Sequence, residues 1–211
     1  MIDILGSIDN SIENNERIAQ DLERLAGEIY KREILSIENK IRLEEVIEIL
    51  DSKRIPLSSR ERETRKGIYP YYGATGILDY VNDYIFSGEY VLLAEDGTVI
   101  DESGYPIVQI IKGDFWVNNH AHILNAVNGY SNYLLYISLK NTSVAKAVTG
   151  AVQLKINQAN MCALELPKLD DERLLTLNSQ FKPIADKIFH LKDENKKLQE
   201  LKELYLKKFF D

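Results

Sequence analysis

The chain has a single cysteine, Cys162, so no disulfide can close within it, which fits a reducing cytosol. No uninterrupted apolar run approaches the roughly 18 residues that cross a bilayer. Met1 is followed by acidic and polar residues, without the basic start and apolar core of a signal peptide. The expectation is a cytoplasmic protein with no membrane partner. Catalytic wording is missing too. There is no Gly-x-x-x-x-Gly-Lys-Ser/Thr phosphate loop and no Gly-x-Gly-x-x-Gly dinucleotide fingerprint. No His-Glu-x-x-His or Cys-x-x-Cys spacing offers a metal site. His120 and His122 stand two apart in Asn118-Asn-His-Ala-His-Ile-Leu, a spacing that puts both on one face of a strand. Two histidines on a polar or partly buried strand face is the favoured reading over a metal pair. His190 is expected on a helix surface, and Gly73-Ala-Thr-Gly76 could cradle a phosphate, but a four-residue Gly-x-x-Gly recurs by chance too often to carry weight. No catalytic residue, metal or cofactor is expected.

Positive charge is also in short supply, with 26 basic against 33 acidic residues and a net charge of −7. That argues against unspecific coating of a polyanion. The exception is local: residues 51–67 hold Lys53, Arg54, Arg60, Arg62, Arg65 and Lys66 against three acidic groups. A basic loop on an acidic chain has the footprint of a bounded anion site, and a solvated loop without a partner accounts for it equally well.

What the chain does have is helical periodicity at both ends. Residues 7 to about 33 read as a helix capped by Ser7, with Asp9, Glu13 and Glu16 near its start. Ile8, Asn15, Leu22 and Ile29 form one seven-residue ladder and Ile12, Ala19 and Ala26 another, widened by Ile18 and Leu25. Residues 170–211 repeat the pattern. There Leu177, Ile184, Leu191, Leu198 and Tyr205 run beside Phe181, Ile188, Asn195, Lys202 and Phe209. Asp170, Asp171 and Glu172 favour a helix start, and Pro183 predicts a kink or a restart. Asn15 and Asn195 put a polar group on each seam, where such residues commonly fix register.

Between the helices the signals are short strands. Ile37–Leu50 is ambiguous and is expected to become extended near Val46. Ile68–Ile85 packs five of the twelve tyrosines around Gly73 and Gly76 and reads as a hairpin. Ile68, Ile77 and Val81 are its core candidates, and Trp116 and Ile123 are core candidates further on. Glu89–Glu95, Thr98–Ile100, Tyr105–Ile111 and Phe115–Val117 read as strands, with turns at Asp96-Gly97 and Gly113-Asp114. Asn132–Leu139 reads as a buried helix, and Asn141–Val148 as a second short one closed by Gly150. The fold class is α+β: one mixed, β-rich globule flanked by two long helices that pair as an antiparallel coiled-coil hairpin, a stalk with a head. The boundaries fall at 1–36, 37–168 and 169–211.

The order of these pieces resembles one half of the DNA-specificity subunit of type I restriction–modification enzymes. The likeness rests on Ser52-Lys-Arg-Ile-Pro56, on Tyr69–Tyr84 with its Tyr-Pro-Tyr-Tyr-Gly start, and on Gly88–Gly97. Trp116–Leu124, Gly150–Asn157, the Leu166-Pro167 transition and both flanking helices continue it. Members of that family carry two target recognition domains and two helical spacers, whereas this chain has one domain between two helices. Two copies joined through their helices as a homodimer would restore two heads. The resemblance implies sequence-specific binding of double-stranded DNA without catalysis. Methylation would come from the modification (methyltransferase) subunits, and cleavage from the restriction (ATP-dependent endonuclease) subunit. Lys53, Arg54, Arg60 and Arg62 are then phosphate or base contacts. Tyr71, Tyr72 and Thr75 are expected at the hairpin tip, and Gln153 and Lys155 in a late loop. The competing reading is a coiled-coil interaction module whose head binds a ligand or protein.

Overall fold

The computed structural model of the protein describes residues 2–150 and 153–210, with backbone alone at residues 2, 3, 209 and 210. Phe209 of the C-terminal ladder, and Ala151 and Val152 of the late Gly150–Asn157 segment, therefore lie outside the described side chains. The elements in chain order are α1 (Ile2–Ile34), β1 (Lys40–Arg42), β2 (Ile47–Ile49), α2 (Ser59–Thr64), β3 (Lys66–Tyr72), β4 (Ile77–Val81) and β5 (Phe86–Ala94). They continue with β6 (Val108–Val117), β7 (Ala121–Ala126), α3 (Asn132–Lys140), α4 (Gln158–Cys162), β8 (Glu165–Pro167) and α5 (Asp171–Phe210). Contacts divide the chain into two compact units, Met1–Ile29 with Ser179–Asp211, and Tyr30–Asn178.

The first unit is a pair of antiparallel helical segments. Asn15 Nδ2 donates to Asn195 Oδ1 at 2.9 Å, Asn195 Nδ2 donates to the carbonyl of Ile12 at 3.3 Å, and Lys202 meets Asp9 at 2.6 Å. Partner numbers rise on one helix as they fall on the other, so the two seam asparagines face each other. Ile8, Ala26, Phe181, Ile184, Ile188 and Leu191 are buried along the seam, whereas Leu25 is exposed and does not widen it. Ser7 lies inside α1 and caps nothing; its carbonyl accepts the Ser11 hydroxyl. Helix α5 runs through Pro183 without a restart. Its cap is Asp170, whose carboxylate accepts the Arg173 amide at 2.8 Å and is held below its ordinary value, chiefly by that bond.

An amide pair on a seam has a testable signature. Asn15→Leu leaves Asn195 short of a partner and is expected to cost about 1–3 kcal/mol, whereas the double Leu variant is expected near or above wild type. Thermal melts followed by circular dichroism read the difference. A double variant as weak as the sum of the singles would show that the pair contributes nothing jointly.

The second unit is built on a strongly curled sheet. Among the described residues, six strands lie in the order β2-β7-β5-β6-β3-β4, antiparallel except where β3 runs parallel to β6, and β1 and β8 pair separately. The expected turn at Gly113-Asp114 is instead a bend inside the ten-residue β6. Gly113 (φ 113°) is paired with Gly88 (φ 130°), so both strands bend where neither carries a side chain. The curl encloses Leu50, Phe86, Leu92, Phe115, Val117 and Ile123. Phe115 stacks on Phe86 at 5.4 Å and meets Tyr72 edge-on at 5.7 Å. Helix α3, whose residues Tyr133 to Leu139 are all buried, belongs to the same unit. The segment Ile37–Leu50 resolves into β1, a single helical turn and β2, and the expected helix after Asn141 shrinks to one turn at Ala145–Ala147.

The hairpin departs from expectation in detail. Val81, Trp116 and Ile123 are core, but Ile68 is 73% exposed and Ile77 45%. Strand alternation explains it: β4 is the sheet edge, and Tyr71 rather than Ile68 points inward from β3. The two glycines of the turn do different work. Gly76 holds φ 154°, while a Cβ at Gly73 would come within 2.7 Å of Leu78.

Candidate nucleic-acid interface

The curl brings loops that are distant in sequence to one end of the sheet. The amide of Asn118, just after β6, donates to Tyr72 at the end of β3 (3.0 Å). Gln109 Nε2 donates to the carbonyls of Gly73 (3.2 Å) and Ala74 (3.0 Å), tying the hairpin turn to β6. The Glu95 amide donates to His120, the Gly97 amide to Leu154, and the Ile156 amide to Glu95. Hairpin turn, β5 exit, β6–β7 loop and late loop are thereby held together.

Arg54 sits beneath them. Its Nη1 donates to Glu95 (2.8 Å), to the carbonyl of Ala121 (2.8 Å) and to that of Asn119 (3.4 Å), and its Nη2 faces Asp51 at 3.4 Å. The Asp51 carboxylate also accepts the Ile123 amide (2.9 Å) and meets His122 Nδ1 at 2.6 Å, while His122 Nε2 donates to the Ile156 carbonyl (2.8 Å). Burial by itself would raise the Asp51 and Glu95 carboxyls. The hydrogen bonds and charges of His122, Ile123, Arg54 and Lys155 outweigh it, so both are held below their ordinary values. Asp51, Glu95 and His122 have ligand atoms within 4.8 Å of one another, close enough to hold a metal ion, but these atoms are already engaged with one another and with Arg54. The group reads as an internal charge clamp. His120 and His122 do not share a face: His120 precedes β7 and is 47% exposed, whereas His122 is 1% exposed.

The nine sequence-predicted contacts separate accordingly. Thr75, Gln153 and Lys155 are exposed on the gathered loops, with Lys155 Nζ 3.2 Å from Glu95, and Lys53 is exposed in the helical turn just before Arg54. Arg60 is exposed on α2, away from this group in the chain's hydrogen bonding. Four residues are placed otherwise than expected. Arg54 is spent on the clamp. Tyr71 is not at the hairpin tip but 1% exposed, its hydroxyl accepting the Leu57 amide at 2.9 Å. Tyr72 is half-buried against Phe115, its hydroxyl pushed up to about 12 by burial and secondarily by Tyr80. Arg62 lies over the Tyr71 ring at 5.2 Å and donates to Leu57 and Asp79 (2.8 and 3.3 Å). Sequence reasoning did not single out Asn119, which is exposed, or separate exposed His120 from buried His122. The signal was present, a polar pair between two apolar runs, but strand periodicity absorbed it.

Residues 36–204 match the family described as the type I restriction modification DNA specificity domain. A protein named as a type I restriction enzyme specificity subunit of Haemophilus influenzae is 38% identical over 125 residues, covering 59% of this chain and 31% of its own length. Among solved structures, a type I restriction–modification S subunit from M. genitalium aligns with a TM-score of 0.63 at 16% identity, covering 98% of this chain and 56% of that one. A chain from work on complex assembly and conformational transition of the type I R-M system aligns with a TM-score of 0.50 at 14% identity, covering 96% of this chain and 55% of that one. The chain thus spans about half of these structures, and its matched part about a third of the Haemophilus relative. Among the described residues, no helix is long and apolar enough to cross a membrane.

Proposed function

Since the chain belongs to the type I restriction–modification DNA specificity family, we propose that it recognises one half of a bipartite target in double-stranded DNA. On this reading the curled-sheet unit carries the recognition and the chain itself carries no chemistry. Methylation and ATP-driven cleavage belong to modification and restriction subunits that it positions. Two copies joined through the helical unit present two recognition domains. The observation that carries the reading is the exposure of Thr75, Gln153 and Lys155 on loops that hydrogen bonds hold together, with Lys53 exposed in the turn that precedes Arg54. The lysines suit phosphates, and the short polar side chains suit base edges.

Affinity for random duplex is expected to fall steeply with salt, and Lys53→Ala and Lys155→Ala are each expected to lower the slope of log affinity against log salt by about one. No binding at low salt would remove the reading. It would favour a protein-binding head instead, for which Ile68, Leu78 and Tyr80, exposed on β3 and β4, offer apolar surface.

A further inference from the structure

The loop between β6 and β7 is a tightly supported exposed segment at the gathered end. Trp116, Val117 and Asn118 before it are buried, and so are Ala121, His122 and Ile123 after it; Asn119 and His120 alone face outward. One amide and three carbonyls of the loop are tied. Asn118 Oδ1 accepts the His120 amide at 2.8 Å, and the carbonyls of Asn119 and Ala121 accept from Arg54 at 3.4 and 2.8 Å. The His120 carbonyl accepts the Glu95 amide at 2.8 Å. The imidazole is fixed as well: its Nδ1 is hydrogen-bonded to Asp96 Oδ1, which leaves Nε2 as the outward atom. Among the described residues the Asn119 side chain makes no hydrogen bond.

Such a loop spends an internal arginine, an amide ring closure and a carboxylate on presenting two short polar side chains. A merely connecting turn needs none of this. Fixed short side chains discriminate better than mobile ones, because a wrong partner leaves them unpaired rather than letting them swing away. An asparagine amide matches the N6 and N7 edge of adenine, and imidazole Nε2 offers one hydrogen bond. Lys155, bonded to Glu95 whose amide donates to the His120 carbonyl, sets beside the loop the positive charge that phosphates require.

We propose that Asn119 and His120 are specificity-determining contacts to base edges, and that Asp96 is a positioning residue that aims the His120 ring. This rests on the DNA reading above and names the residues that discriminate within it.

The test uses the full chain and the duplex recovered by repeated selection from a random library on the wild-type protein. Asn119→Ala and His120→Ala are each expected to lose about tenfold or more of the preference for the selected base at one pair. Random-duplex affinity, its salt slope and the melting temperature should stay at wild-type values. Asp96→Ala should relax the same base pair as His120→Ala, and the double variant should lose nothing further. Wild-type preference at every pair in both loop variants would overturn the inference. So would a loss that falls equally on selected and random duplex together with melting temperature, because that is a structural role. A wild-type chain that enriches no sequence would instead remove the DNA reading itself.

Discussion

Asp51→Ala is expected to lower the stability of the Tyr30–Asn178 unit by about 3–5 kcal/mol, the cost of breaking an internal ion pair from one side. The carboxylate serves three partners at once, Arg54, His122 and the Ile123 amide. Its removal leaves His122 Nδ1 and the Ile123 amide without their acceptor and takes from Arg54, 14% exposed, one of its two carboxylates. Urea unfolding followed by Trp116 fluorescence reads this cleanly, since Trp116 is the single tryptophan and is buried. A loss below about 1 kcal/mol would show the cluster to be ordinary surface pairing. The same cluster sets an acid limit. Asp51 and Glu95 are depressed in the folded state, so their stabilisation is complete above their ordinary values of about 3.9 and 4.3. It is lost as pH falls from there through the folded values. Wild type should therefore weaken below about pH 4 more steeply than Asp51→Ala. Because Arg54 belongs to this clamp, poor DNA binding by an Arg54→Ala variant would report damage to the loops before any lost phosphate contact.

Removing one matched heptad from the paired helices, residues 16–22 with 188–194, should change the gap between recognised half-sites and leave the half-site sequences alone. The deletion keeps Asn15 opposite Asn195, so the seam's polar pair survives. Seven helical residues span about 10 Å, or roughly three base pairs. Selection of bound duplex by wild type and deletion variant measures both gap and half-sites. An unchanged gap would show that the helices do not set spacing in a two-copy assembly.

The architecture was legible where periodicity is long. Seven-residue ladders announced both terminal helices, and even the seam asparagines could be named, because a coiled seam repeats one environment many times. The sheet was legible as strands but not as a curl. Gly113 reads locally as a turn, and only its pairing with Gly88 makes it a bend. Tyr71 and Arg54 show the deeper limit. A tyrosine beside a glycine turn and an arginine in a basic run look like surface, and their burial depends on Leu57, Asp51 and Glu95, up to 41 residues away. Exposure of Ile68 and Ile77 has the same cause, since which face of a hairpin is covered is decided by the strand beside it. Asn119 and His120 became visible only once the loop's supports were seen.

The account stands on sequence-specific recognition of duplex DNA, and selection from a random duplex library tests it directly. With purified full chain, repeated rounds at moderate salt should converge on a defined half-site sequence. The converged duplex should bind at least about a thousandfold more tightly than random duplex at the same salt. Failure to enrich any sequence, with selected and random pools bound equally, would contradict it.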